Sequence, residues 1–390
     1  MSRACFFDIL AYMKIILTGG STGGHFYPLI AVAEEIRRLA KKEHILEPEL
    51  FFLSNTSFDE GILYDNRIAY KYVPAGKLRM YFSLRIIPDA IATFFGILKA
   101  IITVYKIYPD VIFSKGGFAS FPTLFAAKIL KIPVIIHDSD TSPGRVSKWS
   151  AKFAERIAVS WPEAQQHFDN KEKVAWTGNP VRDEIKLTAN EGAYEFLGLT
   201  KEIPTLLIIG GSQGAQFIND QVMSMLPELL QKYQVIHQTG KDNFSSVEGE
   251  SKVVLEGVAA ELTMRYKPYG YLNNLAMKMS AGASDLVITR AGSSLFEIAL
   301  WGIPSIIIPI SISHDDHQRK NAYSYARTGA AIVVEENNVT PNILLNEVDR
   351  ILNSKKTSLD MRTAALNFSK PQAAETIATE ILEIALTHEK

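Results

Sequence analysis

The residues best suited to chemistry lie in two glycine-rich segments that share one pattern. Gly-Gly-Ser-Thr-Gly-Gly-His occupies residues 19–25 after an apolar run at 14–18, and Gly-Gly-Ser-Gln-Gly-Ala occupies 210–215 after a run at 205–209. A helical pattern follows each segment, so bare backbone amides would lie at a helix N-terminus, where the helix dipole favours an anion. Neither segment carries the Lys-Ser/Thr of a P-loop or a full G-x-G-x-x-G fingerprint. The pattern predicts two diphosphate cradles, the alternative being tight turns that need glycine for steric reasons.

Three side chains in or near these segments have suitable chemistry. His25, at the end of the first segment, is placed to act as a base or to contact a phosphate, although a lone His is often only a satisfied polar residue. Ser212 adds a hydroxyl donor to the second segment. Glu297 lies in the first turns of a later helix, where a carboxylate can accept both hydroxyls of a ribose. The alternative for Glu297 is a favourable charge near a helix N-terminus, worth ~0.3–1 kcal/mol.

Two acidic clusters have the composition of metal sites. They are Asp138-Ser139-Asp140 and His314-Asp315-Asp316-His317, and both follow apolar runs typical of strands. Matches this short arise often by chance, so we predict no metal and no cofactor. The single cysteine, Cys5, excludes a disulfide framework and a Cys-based zinc site, and it fits a reducing compartment.

The elements that must position these residues occur twice along the chain. The run 110–113 leads into Gly116-Gly117, a helix and the run 132–136, just as 285–288 leads into Ala291-Gly292, a helix and 303–308. Continuously apolar strands that alternate with helices predict an α/β fold of two doubly wound parallel-sheet domains. Such sheets bind ligands at the carboxyl ends of their strands, so we expect the site in the cleft between the two domains.

The turn signal at Gly178-Asn179-Pro180 predicts the domain boundary, with domains at 13–180 and 181–370. Residues 1–12 precede the first strand and are too short for a signal peptide, so we interpret them as an extension of uncertain status. A last helix is predicted at 371–386. The chain carries 41 Lys+Arg against 42 Asp+Glu, a balance that argues against nucleic acid as a partner.

Residues 76–87 interleave basic and apolar side chains, as does a loop that dips into a bilayer interface. The side chains predicted to contact a membrane are Leu78, Arg79, Met80, Tyr81, Phe82 and Arg85. A loop that folds its apolar residues into the core is an equally weighted alternative. The apolar region 86–105 is interrupted by Pro88, Asp89 and Lys99, so we predict no transmembrane helix there.

Eight motifs, in order, make residues 13–386 resemble the MurG family of inverting GT-B glycosyltransferases. The motifs are GGSTGGHFYP at 19–28, KGGFASFP at 115–122, IIHDSDTSPG at 135–144, TGNPVR at 177–182, GGSQGA at 210–215, ITRAGSSLFEIA at 288–299, HDDHQRKNA at 314–322 and KPQAAETIA at 370–378. The resemblance implies transfer of N-acetylglucosamine from UDP-N-acetylglucosamine to the 4-hydroxyl of undecaprenyl-diphosphate-N-acetylmuramoyl-pentapeptide. This is a step of peptidoglycan synthesis, and so of cell-wall growth and division, at the cytoplasmic face of the plasma membrane. The implied partners are these two substrates and an anionic membrane surface that the protein binds peripherally.

The resemblance also implies roles for individual residues. The first domain takes the lipid acceptor, with its diphosphate at Gly116 and Gly117, and the last helix (371–390) returns to that domain. His25 is the first choice for the base that deprotonates the acceptor, and Asp138 is the second. The donor-binding residues carried over by motif are Thr22, Gly23, Gly24, Asp140, Arg182, Ser212, Leu272, Ser293, Ser294, Leu295, Glu297 and Gln318.

The chain departs from the family pattern at three positions of the first domain. Phe118 replaces a frequent Tyr, Asp138 replaces a Glu, and Asp140 replaces an Asn and so lacks its amide donor. The distance from Arg290 to Glu297 is also one residue shorter than usual. Three alternatives remain open: a UDP-N-acetylglucosamine 2-epimerase of the same fold, a glycosyltransferase with another lipid acceptor, and an inactive scaffold that binds UDP-sugar.

Overall fold

The computed structural model describes residues 13–20, 22–77, 86–211, 214–311 and 316–388, without the side chain of the last. Several sequence predictions therefore lie outside the described residues. These are the extension at 1–12, Ser212, the membrane-contact residues 78–85, and two members of the second acidic cluster, His314 and Asp315.

The first half of the described chain forms a parallel sheet of seven strands in the order β3-β2-β1-β4-β5-β6-β7. The apolar run at 14–18 is its central strand, in register with β2 on one side and β4 on the other. The strands are β1 (Lys14–Thr18), β2 (Glu49–Ser54), β3 (Ile68–Tyr72), β4 (Val111–Ser114), β5 (Val134–Asp138), β6 (Arg156–Val159) and β7 (Val174–Trp176). The helices between them are α1 (Gly23–Lys42), α2 (Glu60–Asp65), α3 (Ile86–Ile107), α4 (Phe121–Leu130) and α5 (Arg145–Ser150).

The second half forms a parallel sheet of six strands, within the described residues, in the order β10-β9-β8-β11-β12-β13. Its strands are β8 (Thr205–Ile209), β9 (Gln234–Gln238), β10 (Tyr266–Tyr269), β11 (Leu286–Thr289), β12 (Ser305–Ile307) and β13 (Ala331–Val333). Its helices are α6 (Asp183–Lys186), α7 (Ala193–Leu197), α8 (Gln216–Lys232), α9 (Phe244–Val254), α10 (Ala260–Thr263), α11 (Asn274–Ala283), α12 (Ser294–Trp301), α13 (His317–Ala326), α14 (Pro341–Leu352) and α15 (Lys355–Phe368).

The two sheets have the same strand order around their centres. The direction of chain progression reverses between β1 and β4 in the first sheet and between β8 and β11 in the second. These are the switch points at which doubly wound sheets bind ligands. Both glycine-rich segments directly follow the strand at a switch point, so the predicted fold class of two doubly wound parallel sheets is confirmed.

The last helix, α16 (Ala373–His388), packs against α1 of the first half rather than against its sequence neighbours. Its buried residues Ile377 and Ile381 join a core cluster that also contains Phe26 and Leu29 of α1. The apolar side chains recur at helical spacing, so one stripe of α16 is buried while its other side faces solvent. The helix therefore ties the end of the chain to the first sheet.

Residues 86–105, for which the sequence predicts no transmembrane helix because Pro88, Asp89 and Lys99 interrupt them, form one continuous helix, and the absence of a membrane span stays a prediction. Helix α3 is 22 residues long, and its length and composition meet those of a membrane-crossing helix. Pro88 and Asp89 lie in its first turn, where proline is tolerated and an acidic side chain is favourable, so they do not interrupt it. One side of α3 packs on α4 through Gly96, Ala100 and Val104, and the other side is exposed.

We predict that Ile381→Ala destabilises the protein by about 2–5 kcal/mol, because it leaves a cavity between α16 and α1. Ile381 is completely buried, whereas Leu386 on the same helix is 39% exposed. Urea denaturation followed by circular dichroism measures the effect, with Leu386→Ala as the matched control. Equal, small losses for the two variants would contradict the packing described for α16.

Candidate active site

A cleft of ≈ 1020 Å³ lies between the carboxyl ends of the two sheets. Both halves of the chain line it, and each glycine-rich segment contributes backbone to its wall. Most of the predicted donor-binding residues that the structure describes line this cleft: Thr22, Gly23, Gly24, Arg182, Leu272, Ser293, Ser294, Glu297 and Gln318. Asp138, Asp140 and the Leu295 side chain lie away from its wall.

His25 lies in the first turn of α1, between two glycine loops. Its Nδ1 is 2.9 Å from the Thr22 hydroxyl, and Thr22 is the extended residue that precedes the helix. A Cβ added to Gly20 would lie 2.8 Å from Nδ1, and one added to Gly117 would lie 3.3 Å from Nε2. The imidazole fits here because both neighbouring positions lack side chains.

The surroundings of His25 keep its imidazole neutral. Burial is the main cause that lowers the pKa of His25 to about 4, the Lys115 ammonium lowers it further, and Asp140 opposes the shift. At neutral pH the ring is therefore unprotonated. In the tautomer that donates from Nδ1 to Thr22, Nε2 remains free to accept a proton.

Gly116 and Gly117 form the loop on the Nε2 side of His25. Their φ angles are +75° and +80°, in the region that favours glycine. A Cβ on Gly117 would lie 2.9 Å from the Cα of Gly20, so the loops after β1 and β4 meet backbone to backbone. Two amide-rich loops thus converge beside the imidazole, as an anion site requires.

Lys115, which the sequence analysis did not single out, lies buried beneath this loop. Its ammonium donates to the hydroxyl of Ser139, which in turn lies 3.3 Å from Asn179 Oδ1. Burial lowers the pKa of Lys115 to about 7, although Asp138 and Asp140 oppose the shift. The lysine links the loops after β4, β5 and β7. The sequence signal that could have identified Lys115 is its position between the apolar run at 110–113 and Gly116-Gly117.

Asp138 organises the turn that follows β5. Its Oδ1 accepts from the Asp140 amide at 3.0 Å, and its Oδ2 accepts from the Gly144 amide at 3.1 Å. Burial and the Asp140 carboxylate raise the pKa of Asp138. Because both of its oxygens already accept from backbone amides, the geometry favours His25 over Asp138 as a base.

Asp140 reaches across to the second half of the chain. Its Oδ1 accepts from Nδ2 of the buried Asn321 at 2.9 Å. The amide and hydroxyl of Thr141 donate to Asn321 Oδ1 at 2.9 and 3.0 Å. Asn321 therefore joins α13 to the loop after β5, a contact between residues 180 positions apart that the sequence alone did not reveal.

The wall of the cleft that the second half of the chain forms carries two charged side chains, Arg182 and Glu297, and two amide side chains, Asn274 and Gln238. Arg182 donates from Nη1 to Asn274 Oδ1 at 2.7 Å. Burial raises the pKa of Glu297, and the nearby Arg182 opposes that shift. The Leu272 amide donates to Gln238 Oε1 at 3.0 Å, and Gln238 Nε2 donates to the Gly211 carbonyl at 3.1 Å. Gln238 thus connects the second glycine loop to the segment at Leu272.

The start of α12 faces the first glycine segment. A Cβ on Gly24 would lie 3.2 Å from Ser293 Oγ, so the N-termini of α1 and α12 meet across the cleft. Leu295 is fully buried, which leaves only its backbone for a ligand. Gln318 accepts from the Ile310 amide at 3.2 Å on the opposite wall.

The described residues contain no group of three or more His, Cys, Asp or Glu side chains that could hold a metal ion. Because His314 and Asp315 are outside the described part of the chain, the absence of a metal stays a prediction.

The chain is similar in sequence to known glycosyltransferases. A model described as the glycosyltransferase family 28 N-terminal domain matches residues 15–159, and one described as that family's C-terminal domain matches 205–377. A protein of Bacillus thuringiensis subsp. konkukian is 35% identical over 95% of this chain and 99% of its own length. It is named UDP-N-acetylglucosamine--N-acetylmuramyl-(pentapeptide) pyrophosphoryl-undecaprenol N-acetylglucosamine transferase 2.

Solved structures show the same architecture. The crystal structure of Acinetobacter baumannii MurG matches with a TM-score of 0.69 at 22% identity, over 95% of this chain and 99% of that one. UDP-GlcNAc 2-epimerase from Neisseria meningitidis, bound to UDP-GlcNAc, matches with a TM-score of 0.65 at 14% identity, over 95% of this chain and 100% of that one. These likenesses confirm the GT-B fold, which transferases and epimerases share.

Sequence similarity distinguishes a transferase from an epimerase, which the shared fold does not. The matching family models and the Bacillus relative are all glycosyltransferases. The two models together cover most of the sequence. The chain therefore belongs to glycosyltransferase family 28 and is a hexosyltransferase.

Proposed function

We propose that this chain transfers N-acetylglucosamine from UDP-N-acetylglucosamine to the 4-hydroxyl of undecaprenyl-diphosphate-N-acetylmuramoyl-pentapeptide, with inversion at the anomeric carbon. The observation that carries the proposal is the neutral His25 imidazole between two bare glycine loops, next to Thr22, Gly23 and Gly24, which line the cleft. The relative from Bacillus thuringiensis, named for the same transfer, supports it.

The chemistry is one displacement. The acceptor oxygen forms a bond to the anomeric carbon, the bond from that carbon to the diphosphate oxygen breaks, and UDP leaves with the electron pair. The acceptor proton passes to Nε2 of His25, and the Thr22 hydroxyl fixes the ring from the other side. Amides at the N-terminus of α8 stabilise the charge on the leaving diphosphate.

The remaining cleft residues position the donor in this proposal. Glu297 accepts the ribose hydroxyls, and Arg182 with the backbone at Leu272 holds the uracil ring. Gln318, on the wall next to Ile310, contacts the sugar. Burial strengthens each of these polar contacts because the local dielectric constant is low.

The exposed face of α3 is the membrane-contact surface that we propose. It consists of Ile87, Ile91, Phe94, Phe95, Leu98, Ile102 and Tyr105, each at least 45% exposed. Lys99 and Lys106 each follow one of these residues by a single helical turn and are exposed. An apolar stripe flanked by lysines suits a helix lying in the interface of an anionic membrane. The membrane contact predicted from sequence falls on residues 78–85, which precede this helix in the chain and lie outside the described residues.

A transfer assay tests the proposed function. Labelled UDP-N-acetylglucosamine, a short-chain lipid-linked muramoyl-pentapeptide and EDTA should give a labelled disaccharide lipid. If only free N-acetylmannosamine or UDP-N-acetylmannosamine appears, the chain is an epimerase. If UDP binds but no disaccharide forms with this acceptor, with or without magnesium, the acceptor assignment is wrong.

We predict that His25→Ala lowers kcat by about 10²- to 10⁴-fold, the usual contribution of a general base. The affinity for UDP should persist, because the residues proposed to hold its uracil, ribose and diphosphate belong to the second half of the chain. Steady-state transfer kinetics and calorimetric titration with UDP measure the two effects. His167→Ala, an exposed histidine outside the cleft, is the matched control. A His25→Ala enzyme with unchanged kcat would exclude this histidine as the base.

We predict that Phe94→Asp abolishes sedimentation with phosphatidylglycerol vesicles, because it places a carboxylate in the membrane-contact surface. Transfer to a short-chain, water-soluble acceptor should be unchanged. Val253→Asp on α9, where the valine is 70% exposed, is the matched control and should still sediment. Equal sedimentation of both variants would show that another surface meets the membrane.

A further inference from the structure

Two tyrosines from opposite halves of the chain meet in the cleft. Tyr27 belongs to α1, and Tyr271 lies in the segment between β10 and α11. Their hydroxyl oxygens are 2.9 Å apart, within the range of an O–H···O hydrogen bond. Both residues line the cleft, so this bond crosses the space between the two sheets.

Contacts on both sides hold the two rings in place. The Arg182 guanidinium lies 4.0 Å from the centre of the Tyr27 ring, and the Lys241 ammonium lies 5.0 Å from the centre of the Tyr271 ring. Phe58 packs edge-on against Tyr27 with ring centres 5.7 Å apart. The hydroxyls are thus presented to each other by side chains that have few alternative positions.

The bond lies at the nucleoside end of the cleft. Tyr271 immediately precedes Leu272, and Arg182, which stacks on Tyr27, is bonded to Asn274. Tyr27 also packs back on the first glycine segment, since a Cβ on Gly23 would lie 3.1 Å from its ring. Tyr27, from the first half of the chain, therefore contacts both the first glycine segment and the wall that would hold the uracil ring.

We propose that the Tyr27–Tyr271 hydrogen bond is a clasp that closes the cleft over the nucleoside of a uridine diphosphate and controls its release. The proposal rests on the proposed function, because it takes the donor to be a UDP-sugar. The clasp must open for the nucleotide to enter or leave. A bound uracil ring shields the Tyr27–Tyr271 hydrogen bond from water, which makes this hydrogen bond stronger in the complex than in the free protein.

In this proposal the two tyrosine hydroxyls set the rate of UDP release and take no part in the transfer of the sugar. In the proposed function the diphosphate is held by the loop that contains Gly211, which Gln238 joins to the segment at Leu272. Neither hydroxyl of the clasp belongs to that loop. Loss of the clasp should therefore affect ligands that carry a nucleoside and leave inorganic diphosphate unaffected. Product UDP leaves by the same opening, so the clasp also limits how fast the enzyme completes a cycle once chemistry is done.

The test measures dissociation of UDP from the full-length protein by ³¹P NMR line shapes, which need no label on base or ribose. Tyr27→Phe and Tyr271→Phe should each raise the dissociation rate constant by about 2- to 10-fold, as expected for one hydrogen bond. The double variant should match the single variants, because both changes remove the same bond. Inorganic diphosphate should dissociate at the wild-type rate from all three.

Tyr194→Phe is the matched control, because it removes a tyrosine hydroxyl that donates to the Ala283 carbonyl outside the cleft. Unchanged UDP dissociation in both single variants, or additive effects in the double variant, would overturn the clasp while leaving the proposed function intact. A wild-type protein that does not bind UDP would overturn both.

Discussion

The close approach of two glycine loops around His25 is the constraint on which the site depends. Gly117 comes so near to Gly20 that a Cβ would lie 2.9 Å from its neighbour's Cα, and the imidazole fills the space beside them. This approach is possible only because β1 and β4 are adjacent in the sheet and parallel, so their carboxyl ends open at one edge. The central strand pairing therefore determines the positions of His25, of the Gly116-Gly117 loop and of the buried Lys115 below them.

A second requirement is that the two sheets keep a fixed relation, since the cleft draws residues from both. Asn321 provides a polar connection, with four hydrogen bonds, three of them to the loop after β5. An aromatic cluster provides the apolar one, with Trp161 of the first half 5.1 Å from Phe296 and 5.2 Å from Phe368. A buried amide bonded on all sides specifies one geometry, whereas the rings contribute mainly buried area. Together they fix the relation between the two sheets on which the cleft depends.

Local patterns were sufficient to predict the central strands β1, β4, β5, β8, β11 and β12 and the glycine turns between strand and helix, because continuous apolar runs and glycine loops are signals within a few residues. The same patterns identified His25 and Glu297 as candidates for chemistry. Lys115, Asn321 and the tyrosine pair were missed because their roles depend on partners far away in sequence, up to 244 positions for the tyrosines.

The start of α3 was misinterpreted for a different reason. Pro88 and Asp89 were interpreted as interruptions of an apolar segment, whereas the first turn of a helix accepts both. Whether Pro88 and Asp89 interrupt a helix depends on where the helix begins, and not on the residue types alone.

Under the proposed function, the electrostatics of the site explain why a base with a depressed pKa suits the reaction. Burial and Lys115 keep His25 unprotonated before substrate arrives, so no proton blocks Nε2. Under the proposed function, the acceptor brings a diphosphate to the adjacent glycine loop. A nearby negative charge raises the pKa of an imidazole, which makes it a stronger base when the hydroxyl is in place. The partly neutralised Lys115 limits that rise, because its remaining charge opposes protonation of His25. The buried lysine and the incoming diphosphate thus act on the same imidazole in opposite directions, and the base reaches its full strength only in the complex with the acceptor.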